Sequence, residues 1–402
     1  DTVELVEAHG TGPKAGDVAE FGGLSMVFDE TGRTDRQWCT LGSVKSQIGH
    51  TKAAAGAAGL FKAVMALHHR VLPPTIKVDR PNPKLQMRDS AFHLCTRARP
   101  WVRGADHPRR AGVSSFGFGG SNFHVTLEEA TPRGEGAIRA RRLRTWPAEL
   151  VLLTGTSADD VAQQARQWSQ DAREPGMLAW LAATTQASFD ASQPHRLSVV
   201  AATEDELCDR LSRAAGLVGG EPLHTPDGIA YGVGPARGRL AFLFPGQGSQ
   251  RIDMGADVAM HFHPALDAWD RAADLGLHGV VFPPTAFDAD AGAAQLTALT
   301  ATDRAQPAIG ITSLSLLALM RQVGLQPDCA AGHSFGEVTA LHAAGVFDEP
   351  TFLSVAAERG RLMAEAAATT SGSMTAVSAP VEQVEEIVAS TGAEVVVANH
   401  NS

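Results

Sequence analysis

Gly332-His333-Ser334-Phe335-Gly336 stands between a short apolar run at 329–331 and a helix-forming stretch at 337–344. The order of apolar strand, glycine-rich turn and helix is typical of an α/β domain, and G-x-S-x-G in this setting is a nucleophile-elbow pattern. The glycines permit a sharp turn, and the serine hydroxyl projects from its tip. The stretch predicts an α/β fold with Ser334 as a candidate nucleophile, although a tight turn with a capping serine fits the same five residues.

A second glycine-rich turn, Pro245-Gly246-Gln247-Gly248, follows a predicted strand at 239–244. An acyl-transfer site needs two converging backbone N–H groups to stabilise the negative oxygen that develops on the substrate carbonyl. The N–H groups of Phe335 and Gln247 are the natural pair. The second turn therefore favours an enzyme site over a merely structural turn.

Residues 239–402 resemble malonyl-CoA:acyl-carrier-protein transacylases, because four motifs fall in the family order, namely the turn at 245–250, Gln306-Pro307-Ala308, the elbow at 332–337 and Glu358-Arg359-Gly360-Arg361. The resemblance implies ping-pong transfer of malonyl from malonyl-CoA, through Ser334, to the phosphopantetheine arm of an acyl carrier protein domain. It implies that Arg359 grips the malonyl carboxylate, with Arg361 as the rival. The further substrate-binding residues that it implies are Gln306, His333, Asn399 and Asn401. The aromatic Phe335 after the serine favours malonyl over methylmalonyl.

The base histidine of that family is expected farther along than the end of this chain. Three histidines lie nearer to the serine, but none matches the base position. We expect His333 to belong to the elbow, and His342 and His400 to be ordinary polar residues.

Two histidines lie in similar turns near the start of the chain, His9 in Glu7-Ala8-His9-Gly10 and His50 in Lys45-Ser46-Gln47-Ile48-Gly49-His50. A lone histidine at a glycine-flanked strand end is more often structural than catalytic, but two of them with Lys45 favour a site. The helix after His50 begins with small residues, which let its N-terminus lie close to the loop. The positive end of the helix dipole would then favour a neutral imidazole. A neutral ring still donates one hydrogen bond.

With the loop Phe116-Gly117-Phe118-Gly119-Gly120-Ser121-Asn122, these turns resemble ketosynthases of thiolase-like fold over residues 1–130. The resemblance implies decarboxylative Claisen condensation, in which His9 and His50 stabilise the enolate oxygen and Lys45 supports them. It also implies that the loop, with Phe116 and Phe118, gates an acyl pocket. The nucleophilic cysteine is expected upstream of Asp1, and Cys39 and Cys95 are expected to be small buried residues.

One segment departs from the ketosynthase pattern. Where the family usually has a threonine and then G-D-P-[IV]-E, this chain has Gly12-Pro13-Lys14-Ala15-Gly16-Asp17-Val18-Ala19-Glu20. The departure puts the local turn after His9 in doubt.

The predicted fold class is α/β throughout. It comprises the C-terminal half of a thiolase-like ketosynthase (1–130), a ketosynthase–acyltransferase linker with a small α/β module (131–238), and the start of a malonyl-CoA transacylase-like domain of α/β-hydrolase type (239–402). The linker begins with a basic connector at 139–144. Its module is predicted to contain strands at 150–153 and 197–201 and helices at 157–171, 177–189 and 204–215.

Composition excludes several classes of protein. With 44% hydrophobic and 19% charged residues, the chain is globular, and a net charge of -10 argues against nonspecific nucleic-acid binding. It has no apolar run long enough to span a membrane. The four cysteines show no CxxC spacing, which indicates a reducing, cytoplasmic location. No metal and no covalently bound cofactor are expected.

The order of the three blocks resembles type I polyketide synthases. The spellings KSQIGHTKAAAG (45–56) and GHSFGE (332–337) favour the iterative enediyne or polyunsaturated-fatty-acid type. The expected assembly is a homodimer through an intact ketosynthase. A fatty-acid synthase segment is one alternative. The other is a noncatalytic docking segment, because the nucleophilic cysteine and the base histidine would lie outside this chain. This chain alone is therefore not expected to carry out the condensation reaction.

Overall fold

The computed structural model describes residues 2–12, 14–117, 119–130, 147–219, 221–235, 238–369, 372 and 375–400. The chain forms two compact units, one of residues 1–129, 242–326 and 330–402, the other of residues 130–241 and 327–329. Among the helices in these described ranges, none is long and apolar enough to cross a membrane. The domain boundaries expected near 130 and 238 stay a prediction.

The N-terminal part is built on a five-stranded sheet. Its strands lie in the order Phe92–His93, Cys39–Gly42, Leu5–Glu7, Arg110–Phe116 and Asn122–Glu128, and only the last two pair in antiparallel fashion. All three residues of the central strand are buried, including the charged Glu7 at its end. Leu5 packs towards Trp101 on one face, and Val6 packs towards Phe92 on the other. The elements are β1 (Leu5–Glu7), α1 (Lys14–Asp29), β2 (Cys39–Gly42), α2 (Lys45–Ile48), α3 (Ala55–His69), β3 (Val71–Leu72), β4 (Phe92–His93), β5 (Arg99–Pro100), β6 (Arg110–Phe116) and β7 (Asn122–Glu128).

The linker module is an antiparallel sheet with three helices. The strands of the sheet lie in the order Leu223–His224, Ile229–Val233, His195–Ala201 and Glu149–Gly155. Val151 and Leu153 alternate with more exposed neighbours, and both pack into a core with Leu181 and Leu207. The elements are β8 (Glu149–Gly155), α4 (Ala158–Asp171), α5 (Met177–Ala187), β9 (His195–Ala201), α6 (Glu204–Leu217), β10 (Leu223–His224) and β11 (Ile229–Val233). The strands and helices predicted for this module are confirmed. The basic connector at 139–144 lies outside the described residues.

The C-terminal part contains two paired strands and many helices. Its core joins Trp269, Ile309, Phe335 and Phe352. The elements are β12 (Ala241–Phe244), α7 (Ala256–His261), α8 (His263–Arg271), α9 (His278–Val281), α10 (Ala289–Thr300), α11 (Thr302–Gln322), β13 (Cys329–Gly332), α12 (Phe335–Ala343), α13 (Glu349–Thr369) and α14 (Val381–Thr391). The sequence predicts alternating strands and helices here. Within the described ranges, only β12 and β13 are strands of this part.

The first unit contains a buried ion cluster that joins its N-terminal and C-terminal parts. The Arg109 guanidinium is almost fully buried, and it donates to Glu129 (2.9 Å) and to Asp270 on α8 (2.5 Å). Arg70, at the end of α3, donates to Asp267 (3.0 Å). Arg109 and Arg70 thus each have a carboxylate partner, which offsets their desolvation.

Candidate active sites

Ser334 lies on a strained turn between β13 and α12, with φ 52° and ψ −114°. A positive φ is costly for a residue with a side chain, and such strain is concentrated at functional sites. The two glycines of the motif are sterically required. A Cβ on Gly336 would stand 2.0 Å from the Phe244 carbonyl oxygen, and one on Gly332 would stand 2.0 Å from the Gly336 carbonyl oxygen. The turn therefore has the geometry of a nucleophile elbow.

The glycine-rich loop after β12 lies directly against this elbow. A Cβ on Gly246 would stand 2.4 Å from the His333 carbonyl oxygen and 3.3 Å from the Ser334 Cβ. Phe335 is the first residue of α12, so its N–H has no carbonyl partner within the helix, and the helix N-terminus favours negative charge. The structure thus places the loop that carries Gln247 against the Ser334 turn that Phe335 follows, so the two predicted oxyanion residues lie in adjacent turns. The Phe335 ring is fully buried against Phe352.

A chain of polar contacts joins three of the predicted site residues. The Gln306 amide donates to the Gln247 Oε1 (3.3 Å), and the Arg359 guanidinium donates to the Gln306 Oε1. Gln247 in turn donates to the Thr302 hydroxyl (3.2 Å). Gly360 permits this arrangement, because a Cβ there would stand 2.9 Å from the Thr302 carbonyl oxygen at the start of α11.

The two candidate arginines of α13 have different partners. Arg359 reaches Gln306 in the site, whereas Arg361 pairs with Glu358 and Glu365 along its own helix. These hydrogen bonds raise the pKa of Arg361 above its usual value. Arg359 is thus the arginine that faces the polar residues near Ser334.

Of the remaining residues predicted for this site, the structure brings two into contact. The Asn399 side-chain amide lies 2.9 Å from the His333 Nε2, so these two residues are brought together. Asn401 lies outside the described residues. The His342 Nδ1 donates to the Phe347 carbonyl oxygen (3.0 Å), and its ring packs on Phe352, while His400 is exposed.

The two N-terminal histidines face each other in the first part of the chain. Their ring centroids are 5.8 Å apart, with an interplanar angle of 85°. The His9 Nδ1 accepts from the Phe116 N–H (3.3 Å), and the His50 Nδ1 accepts from the Lys52 N–H (3.0 Å). A neutral imidazole whose Nδ1 accepts carries its proton on Nε2. In its neutral form each ring therefore carries its N–H at Nε2.

The turn after His9 is fixed by acidic residues of α1. Glu20 accepts from the His9 N–H (2.7 Å) and from the Gly10 N–H (2.9 Å). Asp17 accepts from the Gly12 N–H (3.1 Å). The segment whose spelling departs from the family pattern thus still holds this turn through side chains. Glu20 was not predicted as a site residue; the sequence signal for it is the glutamate that ends the family pattern G-D-P-[IV]-E, which this chain keeps.

Burial and the Lys45 ammonium lower the pKa of His9, while Glu20 opposes them. Burial also lowers the pKa of Lys45, against the opposing charges of Glu7 and Glu20. His9 is thus held in the neutral form in which its Nδ1 can accept and its Nε2 can donate.

The expected likeness of the two histidine turns is wrong in one respect. His9 follows β1 directly, but His50 does not lie at the end of β2. The helical turn α2 (Lys45–Ile48) intervenes, because the Ser46 and Gln47 N–H groups bond back to Ser43 and Val44. After His50 a short 3₁₀ turn, Lys52–Ala54, precedes α3, and its first amide is the one that contacts the ring.

Phe116 lies beside His9, with ring centroids 5.5 Å apart, at the start of the turn between β6 and β7. Phe118 lies outside the described residues. Cys39 and Cys95 are buried as expected, and burial raises the pKa of the Cys39 thiol well above its usual value. Within the described ranges, no group of three or more His, Cys, Asp or Glu residues could hold a metal ion.

Three family models match successive stretches of the chain. They are the beta-ketoacyl synthase C-terminal domain at 1–79, the ketoacyl-synthetase C-terminal extension at 81–200, and the acyl transferase domain at 241–402.

Similar proteins include the polyketide synthase GfsA of Streptomyces halstedii, 38% identical over 90% of this chain and 5% of that protein. The phenolphthiocerol synthesis polyketide synthase type I Pks15/1 of Mycobacterium bovis is 36% identical over 96% of this chain and 18% of that protein. The chain therefore spans less than a fifth of the length of either relative. A solved ketosynthase from module 6 of the bacillaene synthase of Bacillus subtilis 168 is 32% identical, with a TM-score of 0.32, over 55% of this chain and 38% of that one.

Proposed function

We propose that the acyltransferase part of this chain loads malonyl from malonyl-CoA onto Ser334, because the chain is a segment of a type I polyketide synthase with ketosynthase and acyltransferase domains. The Ser334 Oγ attacks the thioester carbonyl, so that a C–O ester bond forms while the C–S bond to coenzyme A breaks. The hydroxyl proton ends on the coenzyme A thiol. The malonyl group then passes to the phosphopantetheine thiol of an acyl carrier protein domain, which frees the serine again.

The observation that carries this proposal is the strained Ser334 turn with the Gly246 loop packed against it. The negative oxygen of the tetrahedral intermediate accepts from the Phe335 and Gln247 N–H groups. Arg359, linked to this loop through Gln306, holds the malonyl carboxylate. His333 and Asn399, which contact each other, bind the same substrate.

The ketosynthase part supplies the condensation chemistry of the intact synthase. When a malonyl thioester loses carbon dioxide, the electrons of the broken C–C bond form an enolate. The Nε2–H groups of His9 and His50 donate to the enolate oxygen, and its carbon attacks an acyl thioester. The T-shaped pair of rings, each with Nδ1 already engaged, supports this role. Burial and the Lys45 charge lower the pKa of His9 and so favour its neutral ring, and Phe116 lines the acyl pocket.

The iterative enediyne or polyunsaturated-fatty-acid type finds no support among the relatives, and we propose a modular synthase that dimerises through its ketosynthase. A fatty-acid synthase would share this chemistry. A purely docking role would not require Ser334 to keep a strained backbone.

Labelled malonyl-CoA tests the loading step in the intact synthase. We expect one malonyl adduct on Ser334, lost in Ser334→Ala. Ser249→Ala is the matched control, because Ser249 lies in the adjacent loop with its hydroxyl bonded to the Gly246 carbonyl (2.9 Å). Label that persists in Ser334→Ala, or that never appears in the wild type, contradicts the proposal.

A further inference from the structure

A buried ion pair joins the segments that carry the two histidines of the ketosynthase part. The Glu7 side chain is 2% exposed and the Lys62 side chain 9%, and the Lys62 Nζ lies 2.9 Å from the Glu7 Oε2. The other carboxylate oxygen, Oε1, accepts from the Val44 N–H. One carboxylate therefore binds two separate elements at once.

These contacts join the segments that carry the histidines. Glu7 ends β1, two residues before His9. Val44 immediately precedes Lys45 and the α2 turn that leads to His50. Lys62 lies on α3, which begins five residues after His50. The pair thus ties the backbone before His9 to the backbone on both sides of His50.

Glycines leave room for this pair. A Cβ on Gly42 would stand 2.8 Å from the Thr75 hydroxyl and 3.3 Å from the Lys62 Nζ, and one on Gly59 would stand 3.1 Å from the Glu7 Cγ. Gly59 lies one helical turn before Lys62, so it shares a face of α3 with that residue. Two independent positions thus accommodate the buried charges.

We infer that Glu7 and Lys62 form a positioning pair that sets the separation and orientation of the His9 and His50 rings for enolate stabilisation. The inference rests on the proposed function of the ketosynthase part. Neither residue touches the reacting atoms; they act through the two loops. A buried ion pair contributes little net stability, because desolvation offsets its attraction, so geometry is the better reason for having one here. Glu7 also acts on Lys45, whose pKa its charge raises.

The test uses the intact synthase and compares two activities of one polypeptide. Malonyl decarboxylation by the ketosynthase reports the histidine site, and malonyl loading on Ser334 reports the folded state. Lys62→Met leaves the Glu7 carboxylate buried without its cation. We expect the decarboxylation kcat to fall by at least roughly tenfold, since small displacements of positioned groups are costly. We expect KM and Ser334 loading to stay unchanged.

Two further variants keep the test decisive. The double variant Glu7→Gln/Lys62→Met removes both charges but keeps an acceptor for the Val44 N–H, and should recover most of the lost kcat. Glu7→Asp keeps the charge but shortens the side chain, and should lower kcat alone, which carries the test if Lys62→Met does not fold. Lys84→Met, at an exposed lysine, is the matched control.

The outcomes separate the two proposals. If His9→Ala and His50→Ala abolish decarboxylation while Lys62→Met and Glu7→Asp leave kcat within twofold of the wild type, the positioning role is overturned and the enolate site stands. If decarboxylation survives in both histidine variants, the proposed ketosynthase function itself fails.

Discussion

Arg359 and Arg361 lie two residues apart on α13 but contact different partners, Gln306 in one case and Glu358 with Glu365 in the other. Arg359→Ala should lower kcat/KM for malonyl loading roughly ten- to a hundredfold, because a hydrogen bond to a charged group contributes about 1.5–3 kcal/mol. Acetyl loading should change little, because acetyl has no carboxylate. Rates of acyl transfer from malonyl-CoA and acetyl-CoA are the measurement, with Arg361→Ala as the control. Equal losses for the two donors would reject the carboxylate clamp.

The lowered pKa of His9 predicts the acid limb of the decarboxylation profile. Enolate stabilisation by His9 needs its neutral ring, so the part of the activity loss that comes from His9 should occur only as pH drops through its lowered pKa. Protonation would also place a proton on Nδ1, against the Phe116 N–H. The same shift makes the folded state more stable as pH rises through this window, since the unfolded chain binds the extra proton.

Lys45→Met tests the cause of this shift, because the Lys45 charge is its largest source after burial. The acid limb should move towards higher pH in pH–rate profiles of the intact synthase. Lys52→Met is the matched control, since Lys52 is not a main contributor to the shift. An unmoved acid limb in Lys45→Met would exclude this electrostatic role.

Residues in glycine-rich motifs could be predicted from the sequence, whereas the distant residues that hold these motifs in place could not. Ser334, His9 and His50 lie in turns that their glycines indicate. Glu20 and Lys62 lie within ordinary helices, and their contacts depend on tertiary packing across 11 and 55 positions of sequence. A helical periodicity does not show which polar side chain will be buried against a distant loop.

At the level of elements, the linker helices agree with the sequence because their starts are locally encoded. Ser157 and Thr203 each accept a hydrogen bond from the N–H three residues on, which fixes the first turns of α4 and α6. The second histidine turn was less predictable. Its α2 turn is tied down by the Glu7 carboxylate, which accepts from the Val44 N–H across 37 positions of sequence.

The elbow between β13 and α12 yields a prediction about an element junction. Gly336→Ala should abolish malonyl loading, because its Cβ would meet the Phe244 carbonyl oxygen and force α12 away from β12. Overpacking of this kind costs about 1–3 kcal/mol, so the melting temperature should fall as well. Gly279→Ala on α9 is the control, since no atom lies within 4 Å of the place that its Cβ would occupy and its φ is not positive. Normal loading by Gly336→Ala would refute the steric requirement.

At the scale of the whole molecule, the sequence orders the three parts, but it does not show the contacts that join them. The Arg109 cluster pairs a hairpin arginine with Asp270, 161 positions away. Nothing in the local pattern of either segment indicates this partner. The structure also indicates that the N-terminal part is locally less stable than the linker, which has a closed core under its central strand.

The strands β7 and β9 differ most clearly in protection from solvent. β7 is an edge strand exposed along nearly its whole length, with Phe123 68% exposed, whereas β9 lies between β8 and β11 over a closed core. Local opening costs less free energy where fewer apolar groups are buried. In the 402-residue chain, amides of β7 should therefore exchange with deuterium well before those of β9, at a pH where intrinsic rates are matched. The β6 amides that bond to β7 should follow β7 rather than β9, because they lose their acceptors when that edge opens. Equal protection of the two strands would show that the N-terminal part is as stable as the linker, despite its exposed edge.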